Sequence, residues 1–253
     1  MCTVVYIPGN DKQYFASLRD ESPVRPKAIA PEKFTENDVS YLSPVDSEAG
    51  GSWVGVNSSG ILIILLNGGF ESHEKKKFYR KSRGLIVKEL LLSAMPVIEW
   101  SIMDMDGIEP YTLIVAADKN LFRLVWDGEK KHRINLDTDQ PHIFSSSTLY
   151  NAQARASRQD LFENWIAMKP PVTKLSLLDF FNTSTDKQNG FIIDRDEKIK
   201  TLSYTFLEID PQVFAVMDYY NLLNYTHTSF KIELEQKAAA CPLPDEIQTK
   251  NEL

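Results

Sequence analysis

Thr3-Val4-Val5-Tyr6-Ile7, then Pro8-Gly9-Asn10-Asp11, then Gln13-Tyr14-Phe15-Ala16-Ser17-Leu18, is the stretch on which the fold turns. Its first five residues are β-branched or aromatic and read as a strand. Pro-Gly-Asn-Asp is turn chemistry, and the last six residues read as the returning partner. Cys2 then opens the first strand and Arg19-Asp20-Glu21 follows the end of the second. The hairpin is thus expected to bring the chain's start close to acidic residues far from it in sequence.

Working outward, Ser22 to Asp46 is rich in proline and charge and is expected to be a surface loop with little regular structure. A second hairpin follows, with strands Ser52–Val56 and Ile61–Leu66 around the turn Asn57-Ser58-Ser59-Gly60. Its second strand is apolar on both faces, as in a sheet covered on both sides. Leu85, Val87, Leu90, Leu91 and Leu92 recur at helical spacing within Gly84–Ala94, Pro96 interrupts, and a second helix is expected over Val97–Met103. Strands are then expected at Tyr111–Ala117, Leu121–Asp127, His132–Leu136 and His142–Ser145. Helices follow at Arg155–Met168 and Lys174–Phe181, and strands return at Thr201–Ile209, Gln212–Tyr219 and Ser229–Glu233. The polar tail, residues 240–253, is expected to fray. This order predicts an α+β layered domain built on antiparallel hairpins rather than a doubly wound parallel sheet. With no repeat or linker in view, residues 1–253 read as one domain.

Composition narrows the function. The 253 residues carry a formal charge of −7 with a pI near 5.2, which argues against a general nucleic-acid binder while leaving small anionic ligands open. Two cysteines, Cys2 and Cys241, form no disulfide framework, so a reducing compartment is expected. The start lacks a basic n-region, and the longest apolar run, Ile61–Leu66, falls far short of the roughly 20 residues of a membrane helix. A soluble cytoplasmic protein is the expectation. His73, His132, His142 and His227 show no metal-ligand spacing, and there is neither a phosphate loop nor a Gly-x-Ser-x-Gly elbow. No metal or cofactor is therefore expected. Lys75-Lys76-Lys77 reads as a solvated face, and Tyr219, Tyr220 and Tyr225 as packing.

Cys2 is where chemistry concentrates. Cysteine is small enough for the preceding methionine to be removed, which leaves a residue carrying both a thiol and a free α-amine. An unperturbed α-amine has a pKa of about 7.7–8.0 and a thiol about 8.5, so the amine can take the thiol's proton near neutral pH. A chance cysteine at a strand end is the plainer reading of the same position.

Three blocks agree in order and spacing with a known pattern. They are Met1-Cys2-Thr3-Val4-Val5; Ala16-Ser17-Leu18-Arg19-Asp20-Glu21 with Arg25-Pro26; and Asp46-Ser47-Glu48-Ala49-Gly50-Gly51-Ser52-Trp53-Val54-Gly55-Val56-Asn57, followed by Gly60 and Leu66-Asn67. Together they resemble the NRDE family, named for an Asn-Arg-Asp-Glu tetrapeptide, which includes the transport-and-Golgi-organisation 2 proteins. The resemblance is dense over residues 1–70 and thinner beyond. That family is in turn similar to the cysteine N-terminal-nucleophile hydrolases, among them penicillin V acylase and bile-salt hydrolase.

The resemblance implies a four-layer αββα sandwich of two antiparallel sheets. It implies Cys2 as nucleophile, Asp20 as the carboxylate that holds the nucleophile's amine, and Asn67 as an oxyanion donor, while Asp20 also reads as a turn residue capping the hairpin end. Asn67-Gly68-Gly69 reads equally as a turn, and Arg19 and Glu21 read equally as a structural ion pair or as site residues. Gly50-Gly51 and Trp53 are expected to act structurally, through close approach and packing. The chain departs from the pattern at Leu18, where the family has asparagine, at Leu66, where it has threonine, at Ser147 of Ser146-Ser147, where it has Ser-Asn, and at Leu202, where it has arginine. Two activities follow as expectations: hydrolysis of a non-peptide C–N amide bond, or non-catalytic binding and trafficking of haem or lipid on the same fold. The partner in either case is a small molecule, an amide, lipid or haem.

Overall fold

The computed structural model describes residues 3–196 and 198–235, so Cys2, Cys241 and the tail expected to fray lie outside the described residues. Strand β1 (Thr3–Pro8) and strand β2 (Gln13–Glu21) form the expected hairpin, with Thr3 opposite Leu18 and Pro8 opposite Gln13. On one side β1 pairs with β10 (His142–Ser145). On the other, β2 pairs with β12 (Ile199–Asp210), which continues to β13 (Phe214–Asn221) and β14 (Thr226–Glu233). A two-residue strand, β11 (Asp194–Arg195), adds to β12.

The second sheet is a meander of β3 (Ile29–Glu36), β4 (Val39–Val45), β5 (Val54–Asn57), β6 (Leu62–Asn67), β7 (Tyr111–Ala117), β8 (Asn120–Trp126) and β9 (Lys131–Leu136). All named strand pairs are antiparallel.

The β3–β4 hairpin corrects the expectation of a loop over Ser22–Asp46. Its outer strand is an edge, where main-chain pairing on one side suffices and Pro31 is tolerated. The two-residue turn at Asn37 and Asp38 has φ of 51° and 62°, the left-handed geometry that matches strand twist in tight hairpins.

Alternation along β1 and β2 divides the core into layers. Val4, Tyr6 and Phe15 pack with Leu62 and Ile64 between the sheets. Val5, Ile7, Ala16 and Leu18 instead join Phe162, Trp165, Leu177 and Phe180 of helices α3 (Ala152–Ala167) and α4 (Lys174–Asn182). Helices α1 (Arg83–Leu91) and α2 (Pro96–Ile102) cover the other sheet, giving the αββα order. The start of α3 precedes the sequence expectation because Asn151 caps it, its Oδ1 accepting from the Ala154 N–H at 2.9 Å.

Asn57 ties α1 to its sheet: its Nδ2 donates to the Leu91 carbonyl at 2.7 Å, satisfying an end the helix leaves open. At the other end of α1 two glycines meet backbone to backbone. A Cβ on Gly51 would lie 2.3 Å from the Gly84 carbonyl carbon, and the Ser52 N–H donates to Gly84 O at 3.0 Å. Tyr219 is buried and Tyr220 stacks on His227, but Tyr225 stands 90% exposed, so the expectation that it packs does not hold. Among the described residues no helix is long and apolar enough to cross a membrane.

Candidate functional site

Successive residues of a strand point to opposite faces, and the site is built on that rule at the end of β2. Asp20 turns toward the layer that holds α3. It is 2% exposed, and its carboxylate accepts from the Tyr150 hydroxyl at 2.7 Å on Oδ2 and from the Thr201 hydroxyl at 2.7 Å on Oδ1. Thr201 is itself held by the Ile193 N–H at 2.9 Å. The guanidinium of Arg158 lies 3.5 Å from the centre of the Tyr150 ring. Arg158 Nη1 donates to Thr3 Oγ1 at 2.8 Å and Ser145 Oγ at 3.1 Å, Nε donates to Asn189 O at 3.0 Å, and Nη2 donates to Gly190 O. A continuous set of contacts, Thr3–Arg158–Tyr150–Asp20–Thr201, therefore joins the first described residue to the buried carboxylate.

Arg19 points the other way, toward the second sheet. Its guanidinium lies 4.5 Å from the centre of the Trp53 ring, and Nη2 donates to Asp46 Oδ2 at 3.3 Å. Its ion-pair partner is thus Asp46, 27 residues away, and not Glu21. Asp46 also accepts from Arg25 at 3.0 and 3.2 Å and from the N–H groups of Glu48 and Ala49. Burial works against its charge, but the bonds from Arg25 and Ala49 outweigh it and hold the Asp46 carboxyl below its ordinary pKa.

Asn67 ends β6 and is half-buried there. Its carbonyl accepts from Ser146 Oγ at 2.8 Å. Gly68 follows with φ +85°, and a Cβ there would lie 2.3 Å from Ser147 Oγ, so only glycine fits. Ser146-Ser147 therefore packs against Asn67-Gly68, and Ser147 Oγ is spent on Glu71 O at 3.0 Å. Leu18 is buried beneath α3 and α4. Leu202 is the extra residue of a β-bulge that sets Thr201 opposite Asp20 and Ser203 opposite Arg19.

A cavity of about 410 Å³ gathers these groups: Arg19, Asp20, Asp46, Trp53 and Asn67 all stand in its wall. Across from them Glu109 accepts from Arg83 at 3.0 Å and lies 3.3 Å from His73 Nε2. Of the residues singled out from sequence, Arg19, Asp20 and Asn67 come together here, and Cys2 lies outside the described residues. Tyr150, Arg158, Asp46 and the Glu109 cluster were missed. Asp46 stood at the head of the third family block and Thr201 at the start of an expected strand, but neither was given a role. Among the described residues no group of three His, Cys, Asp or Glu side chains is placed to hold a metal ion.

A family model described as Transport and Golgi organisation 2 matches residues 1–226. Among solved structures, the Caenorhabditis elegans N-acylethanolamine-hydrolyzing acid amidase ortholog superposes with a TM-score of 0.59 at 12% identity, over 83% of this chain and 93% of that one. A cysteine-to-alanine mutant of the conjugated bile acid hydrolase from Clostridium perfringens gives 0.56 at 9% identity, over 94% and 97%. A second variant of that hydrolase gives 0.53 at 9%, over 93% and 97%. At such identities the likeness is one of fold, and the fold is the N-terminal-nucleophile hydrolase sandwich. No curated protein sequence matches the chain.

Proposed function

Because the chain belongs to the Transport and Golgi organisation 2 family and has an N-terminal-nucleophile hydrolase fold, we propose that it hydrolyses a non-peptide C–N amide bond with Cys2 as nucleophile. The observation that carries this reading is Asp20: a buried carboxylate in the cavity wall, two residues beyond the Leu18 that pairs with Thr3. Burying a charge is costly unless it is hydrogen-bonded, so a carboxylate fixed from two sides beside the chain's beginning fits a positioning role for the Cys2 amine.

In the proposed reaction the amine accepts the Cys2 thiol proton and the sulfur bonds to the amide carbon. The carbonyl electron pair moves onto oxygen, where the Asn67 side-chain N–H is the candidate donor. Collapse breaks the C–N bond, and the leaving nitrogen takes the proton from the Cys2 ammonium. Water then cleaves the thioester, releasing the acid and restoring the thiol. The similar structures are named for hydrolysing N-acylethanolamines and conjugated bile acids, so N-acyl amides are the substrates to test first. The test is an intact mass to establish Met1 removal, followed by reaction with a lactone probe. We expect one label per processed chain and none in Cys2→Ala. A processed wild-type protein that stays unlabelled overturns the reading.

A second reading, binding of haem or lipid without turnover, draws on Leu18, Ser147 and Leu202. Two of these are buried leucines and the third has its hydroxyl committed, leaving Asn67 with little help at an oxyanion. Saturable binding of haem or an acyl lipid by a processed protein that fails to label supports it; labelling with turnover refutes it.

A further inference from the structure

Asn67 also lines a second, smaller cavity of about 140 Å³, together with Leu66, Gly68, Thr112, Arg123 and Arg155. Among the described residues two guanidiniums share its wall and no carboxylate does, in a chain whose net charge is −7. Arg123 projects from β8 between the sheets, 5.3 Å from the centre of the Phe70 ring and 5.8 Å from that of Phe144. Its Nε is buried and has no hydrogen-bond partner among the described residues. Arg155 Nη1 donates to Phe70 O at 2.7 Å, but Nη2 reaches only the exposed Glu71 carboxylate, at 3.4 and 3.5 Å.

The hydroxyls around them are already committed. Thr112 donates to Gly68 O, Ser146 to Asn67 O and Ser147 to Glu71 O, while Ser145 accepts from Arg158. The cationic donors of this cavity, among the described residues, are therefore its two arginines, with the Asn67 amide a neutral donor beside them. Burial, reinforced by Arg155, holds the Arg123 pKa below its ordinary value, which marks a like-charge pair in a partly dry site. An anion between them relieves both the repulsion and the orphaned N–H.

We infer that this cavity binds one small oxyanion, a carboxylate, sulfonate or phosphate that is free or terminal on a larger ligand, with the Arg123 fork as its main donor and Arg155 as the second cation. A guanidinium fork matches such a group bidentately. A space of about 140 Å³ has room for one small oxyanion. Since Asn67 borders both cavities, an anion held here lies beside the proposed reaction site. The inference needs neither Cys2 nor turnover.

It is tested on full-length Cys2→Ala protein by calorimetric titration with sodium sulfate, phosphate and acetate at constant ionic strength, following the Arg123 Nε–H by NMR. We expect saturable binding that shifts the Arg123 signal and weakens about tenfold or more in Arg123→Gln and in Arg155→Gln. Lys33→Gln, on the exposed edge strand, leaves it unchanged. Preference for sulfate and phosphate marks a tetrahedral group and preference for acetate a carboxylate; either supports the site. Should Arg123→Gln fail to fold, Arg123→Lys keeps the charge without the fork, and its affinity must still fall. No saturable binding of any of the three, or equal weakening in Lys33→Gln, overturns the inference. That failure would leave Cys2 labelling of the wild-type protein untouched, so the two proposals fail separately.

Discussion

Arg19 and Arg123 are both guanidiniums stacked on aromatic rings inside the sandwich, and their surroundings differ in one respect. Arg19 has Asp46, a carboxylate kept ionised by Arg25 and by two backbone N–H groups. Arg123 has rings on its faces and another arginine nearby, with no carboxylate in the cavity wall among the described residues. Arg158 marks the extreme of provision: it is 1% exposed and all three of its nitrogens donate to hydroxyls or carbonyls. A buried cation with every donor matched is part of the scaffold. One left with unspent donors is a place where the fold costs stability and a ligand can restore it.

The contrast can be broken in four ways. Arg158→Met strands two carbonyls and unlocks Tyr150, so it should lower unfolding stability in urea by about 3 kcal/mol or more. Arg19→Met should cost about 1–2 kcal/mol in the same measurement, since Asp46 keeps Arg25 as a partner. The third test is acid titration. Because the Asp46 carboxyl has a folded-state pKa below its unfolded value, its contribution is present above the unfolded pKa of about 3.9 and is lost as pH falls through the folded one. Stability measured from pH 6 downward should therefore drop below about pH 4 in the wild type, with a shallower slope there in Asp46→Asn. The smallest expected effect is the sharpest: Arg123→Met should change anion-free stability by less than about 0.5 kcal/mol, or raise it by up to about 1 kcal/mol. A loss above about 2 kcal/mol would show that Arg123 is structural after all, like Arg158.

Much of the architecture could be read in advance because it is written locally. The β1–β2 and β5–β6 hairpins and the four helices each announce themselves through β-branched runs, turn residues or helical spacing. The β3–β4 hairpin does not. As an edge element it buries few side chains, and its stability comes from main-chain pairing that proline and charge disguise. Its one usable signal was Asn37-Asp38, a pair tolerant of left-handed geometry.

By itself the sequence determined the layered α+β class, the family pattern around Arg19-Asp20 and the place of Asn67, since each depends on residues near one another in the chain. Tertiary structure alone decided what those residues touch. Tyr150 reaches Asp20 across 130 positions and Thr201 across 181, while Arg123 and Arg155 meet only because β8 and α3 close on one cavity. Hydrogen bonding and charge depend on distance in space, and pairing of the sheets sets that distance with no trace in local pattern.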